Sequence, residues 1–313
     1  LFRSVADLGR AFGMKILAHS RGDTPGVERV TLDDLFRRSD VARVRLASRP
    51  GGPVHTLEVV HVDLYFFFDV DLVLIDNASD PAQVDTYYAH IRERFGARIV
   101  PMNQEFNYSR MINLGVQASV PPNLLFLNTD VTFLDHTCIA TALQQIKRPE
   151  IGVIGSLLLY PDMRVQHGGM KLLLNGPDRE PSAQHLLRMA PSDGDSYLNM
   201  VRSPLNCQAV TGAFQMVRRS VFDAVDGYDE VSLPIEYNDV DFCLKVRDLG
   251  LRVVNLPLDG VIHNESATRG QVDTPRTLRL RTEAQQIMWA RWPAQFTQDP
   301  FDNPNVKIGR AHV

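Results

Sequence analysis

Residues 72–131 read LVLIDNASDPAQVDTYYAHIRERFGARIVPMNQEFNYSRMINLGVQASVPPNLLFLNTDV, and their periodicity decides the fold class. A short apolar run, Leu72–Ile75, gives way to the turn residues Asp76–Asp80 and then to helical spacing from Pro81 to Phe95. A second strand is expected over Ala97–Val100, a helix over Tyr108–Ala118 and a third strand over Leu124–Leu127. Strands alternating with helices at this spacing predict an α/β domain built on a mainly parallel sheet.

Upstream, the pattern breaks down. Between about Val41 and Phe68, Arg and Pro cluster in ARVRLASRPGGP, followed by VHTLEVVHVDLYFFF, and neither the helical nor the strand period persists, although VHTLEVVHV could form a strand. Earlier still, VADLGRAFGMKILAHSR reads as an amphipathic helix, a stop at Gly13 and a short strand, and VTLDDLFRRSD reads as a second helix, together part of a βαβ unit. The chain opens on Leu1, so elements that precede it are expected to be missing. At the other end, IGRAHV (Ile308 to Val313) can be back-translated as ATCGGAAGAGCACACGTC, which resembles a widely used sequencing adapter read in frame; the alternative, since codon degeneracy allows many other DNA sequences, is six ordinary tail residues. The adapter is the expected origin of these six residues, and chimeric assembly that of the N-terminal join.

Composition narrows the function classes. The 313 residues are 44% apolar and 22% charged, the balance of a globular protein and not of a disordered or fibrous one. With 33 Lys plus Arg against 37 Asp plus Glu, the net charge is −4, which offers no basic field for nucleic acid. Three cysteines, Cys138, Cys207 and Cys243, lack any C-x-x-C spacing, so neither a disulfide framework nor a zinc site is suggested. The most apolar stretch, Leu64–Ile75, is interrupted by Asp69 and Asp71 and is too short to span a bilayer. Charges scattered through the first twenty residues break any secretory signal, which leaves the cytoplasm as the expected location.

Four polar islands sit where strands should end, and in open α/β sheets ligands gather beyond the carboxyl ends of strands. Asp76 and Asn77 end the first strand, where they either accept hydrogen bonds from a nucleoside or simply form a capping turn. Asn128, Thr129 and Asp130 end the strand of LLFLNTDV, where a carboxylate can hold a hard divalent cation or serve as turn chemistry. EYNDVDFCLKVRDLG places Asn238, Asp239 and Asp241 at the start of an amphipathic helix, a pattern that suits helix electrostatics as well as catalysis. In VIHNESATRG, His263 follows an apolar run as a metal ligand or a loop histidine.

Taken in order, LVLIDNASDP, FNYSRMINLGVQAS, LLFLNTDV, GVIGSLLLYPDMRVQHGG, AVTGAFQMVRRSVFDAVDGYDE and NDVDFCLKVRDLGLRV with HNESATRG resemble the family 2 glycosyltransferases of the GT-A fold, in particular rhamnosyltransferase-like members. The resemblance spans about residues 70–297 and implies a Rossmann-like α/β sheet with flanking helices, lacking the family's first strand. It implies an inverting, metal-dependent transfer of a sugar from a nucleotide-diphosphate donor to a surface glycan or lipid-linked oligosaccharide, with Mg or Mn as the divalent cation. A lipid-linked acceptor would bring the protein to the inner membrane face. Asp239 would be the base that deprotonates the acceptor hydroxyl, with Asp241 orienting the site from the next turn. Asp76, Asn77, Asn107, Asn113, Asn128 and Asp130 would bind the nucleotide-sugar; Asp130 and His263 would hold the metal. Thr211, Gly212, Gln166 and His167 would shape the acceptor side, and the polar segment from Asn175 to Leu205 would form a loop over it. Asn128 stands where a strict D-x-D motif has Asp, and Asn238 where many relatives have Glu.

The alternative within this resemblance is a binding-only relative without catalysis. A separate likeness covers residues 1–45: GRAFGMKILAHSR followed by TLDDLFRRSD resembles a piece of the nucleotide domain of D-2-hydroxyacid dehydrogenases, with Ser20 and Arg21 where those enzymes read the cofactor ribose. Without the glycine turn that cradles pyrophosphate, this NAD-dependent reading is a remote one. The expected organisation is thus a dehydrogenase-like fragment over 1–45, a junction over 46–69, the glycosyltransferase domain over 70–297 and a tail over 298–313.

Overall fold

The computed structural model describes residues 70–135, 137–193, 197–264 and 275–301, together with the backbone of four short strands ahead of residue 70. In that early part, β1 (Leu17–Ala18) runs parallel to β2 (Glu28–Arg29), and β3 (Val44–Ala47) antiparallel to β4 (Val54–Leu57). β3 and β4 fall in the stretch where no period persists; four residues each are too few for alternation to show. The helices expected near residues 5–12 and 30–40, Ser20, Arg21 and the end of the tail lie outside the described residues.

From residue 72 the expected order appears: β5 (Val73–Asp76), α1 (Pro81–Phe95), β6 (Arg98–Pro101), α2 (Tyr108–Gln117) and β7 (Asn123–Leu127). α1 starts where the Asp80 carboxylate caps Ala82 N–H at 3.1 Å and Pro81 opens the first turn, and it stops at Gly96, whose φ of +60° suits a residue without Cβ. Its buried face, Val84, Tyr87, Tyr88 and Ile91, packs on Leu72, Leu74 and Ile99. The tyrosine pair is therefore core.

The chain continues through β8 (Val131–Phe133), α3 (Thr137–Ile146), β9 (Ile151–Ser156), β10 (Leu158–Leu159), β11 (Val165–His167), β12 (Met170–Asn175) and β13 (Glu180–His185). It then forms β14 (Leu205–Cys207), β15 (Phe214–Arg218), α4 (Arg219–Ala224), α5 (Asn238–Asp248), β16 (Arg252–Leu256), β17 (Val261–His263), α6 (Pro275–Arg291) and α7 (Pro293–Thr297). The main sheet has the order β14-β16-β9-β15-β7, and a second sheet has the order β11-β10-β17-β8. β9 and β16 are parallel, but β15 is antiparallel to both β9 and β7, and β14 to β16. The sheet is mixed, which corrects the mainly parallel expectation: apolar periodicity marks a strand but carries no information on its direction.

A second correction concerns residues 175–205. β13 pairs in full antiparallel register with β12, from Met170↔His185 to Asn175↔Glu180, where a loop was expected. Its sequence, EPSAQH, hides the strand because Pro181 and the polar residues give no alternation; such a strand is tolerated at an edge. β5 and β6 form their own parallel pair, and among the described residues no strand bridges β5 to β7.

The core lies between the main sheet and α5. Phe242 is fully buried, its ring stacked on Tyr228 at 4.8 Å and close to Phe222 at 5.6 Å, and Phe126 from β7 meets all three edge-on. The Tyr228 hydroxyl donates to Gln215 Oε1, and Gln215 Nε2 donates to Val210 O at 2.7 Å, so the polar atoms inside this cluster are satisfied. The β9 backbone touches its neighbours closely. A Cβ on Gly155 would lie 2.5 Å from Val210 Cβ, and one on Gly152 would lie 2.3 Å from Val246 Cγ1. Gly155→Ala is therefore expected to destabilise by about 1–3 kcal/mol in urea titrations, with part of the loss recovered when Val210→Ala is added.

Candidate active site

β15 sets where the site forms. Its antiparallel register, Phe214↔Leu127, lays the preceding turn, Thr211 to Ala213, across the carboxyl end of β7, and Asn128 N–H donates to Ala213 O at 3.1 Å. The Gly212 peptide then becomes a hub. Its N–H donates to Asp239 Oδ2 at 2.9 Å, and its carbonyl accepts from the Tyr108 hydroxyl at 2.8 Å, a hydroxyl that also lies 3.2 Å from Asn128 Oδ1. A Cβ at position 212 would sit 3.1 Å from the Tyr108 oxygen, so the glycine admits Tyr108.

Asp239 stands in the first turn of α5, partly buried, with Oδ1 accepting from Val240 N–H at 2.9 Å. Tyr237, just ahead of the helix, has φ +59° and is pinned at its far end by a hydroxyl bond to Pro181 O at 2.9 Å. A left-handed tyrosine costs on the order of 1–2 kcal/mol, and the hydrogen bond and packing at its two ends hold it there.

On the other side of Asn128, His263 Nε2 lies 3.2 Å from Asp130 Oδ1 and 3.4 Å from Asn128 Nδ2. Asp130, 5% exposed, is reached because β17 pairs antiparallel with β8, His263↔Val131, and Asn264 N–H and Nδ2 both donate to Asp130 O. Two ligands in cis positions on an octahedral cation of about 2.1 Å bond length stand about 3.0 Å apart, so the Asp130–His263 pair fits one edge of such a shell. Among the described residues no three His, Cys, Asp or Glu side chains cluster to hold a metal by themselves.

Several expected site residues have other partners. Asp76 Oδ1 accepts from Ser79 N–H at 3.2 Å and Asn77 Oδ1 from Gln104 N–H at 3.2 Å, at the end of the β5–β6 pair. Asn107 caps α2 through Arg110 N–H and donates to Glu230 O; Asn113 brackets Tyr228 with bonds to its N–H and C=O and reaches Glu230 Oε2. These two amides build the wall between α2 and residues 228–230. Gln166, expected on the acceptor side, is 3% exposed and bonds to His263. Asp241 is also redirected. At i+2 from Asp239 it faces the opposite side of α5, where Trp292 Nε1 and Arg291 Nη1 donate to its Oδ1 at 2.9 and 3.3 Å and Lys245 Nζ lies 3.8 Å from Oδ2. It anchors the C-terminal helix.

Tyr108 and the Asp241–Trp292 anchor were not legible in the sequence, since each pairs residues more than 50 positions apart. His167 accepts from Thr211 N–H at 3.4 Å through Nε2 and meets His185 Nδ1 at 3.1 Å. Burial, and then the neighbouring His185 and His263, hold its pKa well below the ordinary histidine value. His167 stays neutral in the folded chain while the unfolded chain takes up its proton near pH 6.5. Its share of stability is present above that pH and is lost as pH falls below it. Denaturation curves at pH 7.5 and 5.5 should show this loss, and His167→Gln should lose less over the same interval.

A sequence profile described as "Glycosyl transferase family 2" matches residues 59–226, more than half of the chain. The chain is 33% identical over 242 residues to "Uncharacterized protein y4gI" of Sinorhizobium fredii, covering 77% of this chain and 26% of that protein. It is 27% identical over 240 residues to "O-antigen biosynthesis protein RfbC" of Myxococcus xanthus, covering 76% of this chain and 18% of that one. It thus spans about a quarter or less of the length of these curated relatives. In fold it is similar to the structure of GalNAc-T7 with UDP, GalNAc and Mn2+, at a TM-score of 0.50 and 14% identity, over 67% of this chain and 41% of that one. With a mixed α/β GT-A sheet, this order of motifs and this profile match, the chain belongs to glycosyltransferase family 2.

Proposed function

We propose that this chain carries the catalytic half of an inverting glycosyltransferase that moves a sugar from a nucleoside-diphosphate donor to a hydroxyl of an envelope glycan. The observation that carries the reading is the unbroken series of contacts from Asp239 through Gly212, Tyr108, Asn128 and His263 to Asp130. It sets a carboxylate base and a carboxylate–imidazole pair on opposite sides of one glycine peptide. Asp239, oriented by Gly212 and Val240 N–H groups, takes the proton of the acceptor hydroxyl as that oxygen attacks the anomeric carbon. Attack in line with departure of the diphosphate inverts the anomeric centre. Asp130 and His263 are the residues that would hold a divalent cation, which supplies positive charge for the leaving diphosphate. Two similar proteins, an O-antigen biosynthesis protein and GalNAc-T7, solved with UDP, GalNAc and Mn2+, support a glycan product and a cation-linked nucleotide.

A second reading, a relative that binds glycan without turnover, is favoured by Asp76 and Asn77, whose Oδ1 atoms already accept from Ser79 and Gln104 N–H groups. Thermal melts with UDP, dTDP and GDP, each with and without Mn2+, separate the two. A cation-dependent rise in Tm for one nucleotide, absent in Asp130→Asn, is expected for the transferase. No rise with any nucleotide in a folded chain would sink that reading and leave the glycan-binding one.

The two acidic residues of α5 should separate in their effects. Asp239→Asn is expected to lower turnover by about 10²- to 10⁴-fold with little change in stability. Asp241→Ala is expected to cost about 1–3 kcal/mol of stability by leaving the Trp292 Nε1 donor without its acceptor, while Arg291 keeps Asp229. Equal stability losses in the two variants would contradict the division of roles.

A further inference from the structure

Gln166 makes two bonds to one residue from the far side of the candidate cation site. Its Oε1 lies 2.7 Å from His263 Nδ1, and its Nε2 donates to His263 O at 3.2 Å. The second bond fixes the amide, because a main-chain carbonyl can only accept. Oε1 must then be the atom facing Nδ1, and as an acceptor it requires the proton there. Gln166 is 3% exposed on β11, whose neighbour β10 has only two residues and a register shift between Leu158 and Leu159. β10 pairs with β17 at the single position Leu159↔Ile262, so next to that pair a side chain and not a strand ties β11 to His263.

We propose that Gln166 is a positioning residue that holds the His263 imidazole in its Nδ1–H tautomer, turning the Nε2 lone pair toward the Asp130 carboxylate so that both can face one divalent cation. The role of the cation rests on the function proposed above; the tautomer does not. Asn128 Nδ2, 3.4 Å from Nε2, is a donor that a lone pair at that position can accept. Without Gln166 the balance reverses. Asp130 becomes the strong acceptor beside the ring, and a neutral imidazole puts its proton on Nε2 to donate to Oδ1 at 3.2 Å, which occupies the atom needed for the metal. Outer partners of this kind typically govern metal affinity by roughly 10- to 100-fold.

The test uses the full chain with Gln166→Met, of similar length without polar atoms, and Gln166→Glu, which keeps an acceptor opposite Nδ1. Two readouts are taken: 15N shifts of the His263 ring at a pH where it is neutral, and Mn2+ affinity by electron paramagnetic resonance. Wild type and Gln166→Glu are expected to show Nδ1–H, and Gln166→Met to show Nε2–H. Mn2+ affinity is expected to fall roughly 10- to 100-fold in Gln166→Met and to change less than about threefold in Gln166→Glu. If Gln166→Met keeps Nδ1–H, or binds Mn2+ as tightly as wild type, the inference fails. If Gln166→Met does not fold, loss of Nδ1–H in Gln166→Glu overturns it and retention supports it. If wild-type protein binds no Mn2+, the cation half fails together with the metal reading of the function, while the ring shifts still decide what Gln166 does.

Discussion

The antiparallel insertion of β15 between β7 and β9 is the constraint on which the site depends. A strand entering a largely parallel region in reverse brings its own beginning, and the turn before it, to the carboxyl ends of its neighbours. Thr211–Ala213 therefore lies beside Asn128, and both faces of the Gly212 peptide meet functional groups: its N–H meets Asp239 and its carbonyl meets Tyr108. A parallel β15 would put this turn at the opposite end of the sheet, away from β7's polar end.

Around that turn, helix α5 is held by two different chemistries. Its inner face is an aromatic and aliphatic cluster in which Phe242, Tyr228, Phe222 and Phe126 interlock, and its polar flank is tied by Asp241 to Arg291 and Trp292. Asp229 strengthens the same tie. Burial opposes its ionisation, yet hydrogen bonds from Ser232 and Arg291 hold its pKa down to about 2, so the carboxylate stays charged beside Arg291. The helix start that carries Asp239 is thus fixed from the core and from the C-terminal helix at once.

The Asp130–His263 side is built differently, from short strands and side-chain amides. β10 and β17 contribute two and three residues, and Gln166 supplies the missing lateral bonds to His263. His167, the next residue on β11, points to the other face and meets Thr211 and His185, so one short strand serves both the Asp130–His263 pair and the turn before β15.

The sequence by itself determined the local elements and the polar groups at their ends. The β5–α1–β6–α2–β7 series follows from apolar period and turn chemistry, which act over a few residues and are written there. The polar strand ends that hold Asp130 and His263 and the helix start that holds Asp239 were legible for the same reason. Tertiary structure alone decided the direction of β15, the pairing of the proline-bearing β13, and the parts played by individual polar side chains. Asn107, Asn113 and Gln166 look in sequence like ligand contacts, and Asp241 like a residue that orients the site. A side chain's function depends on which donors and acceptors it meets across 50 to 120 residues of chain, and those meetings exist only once the sheet has ordered its strands.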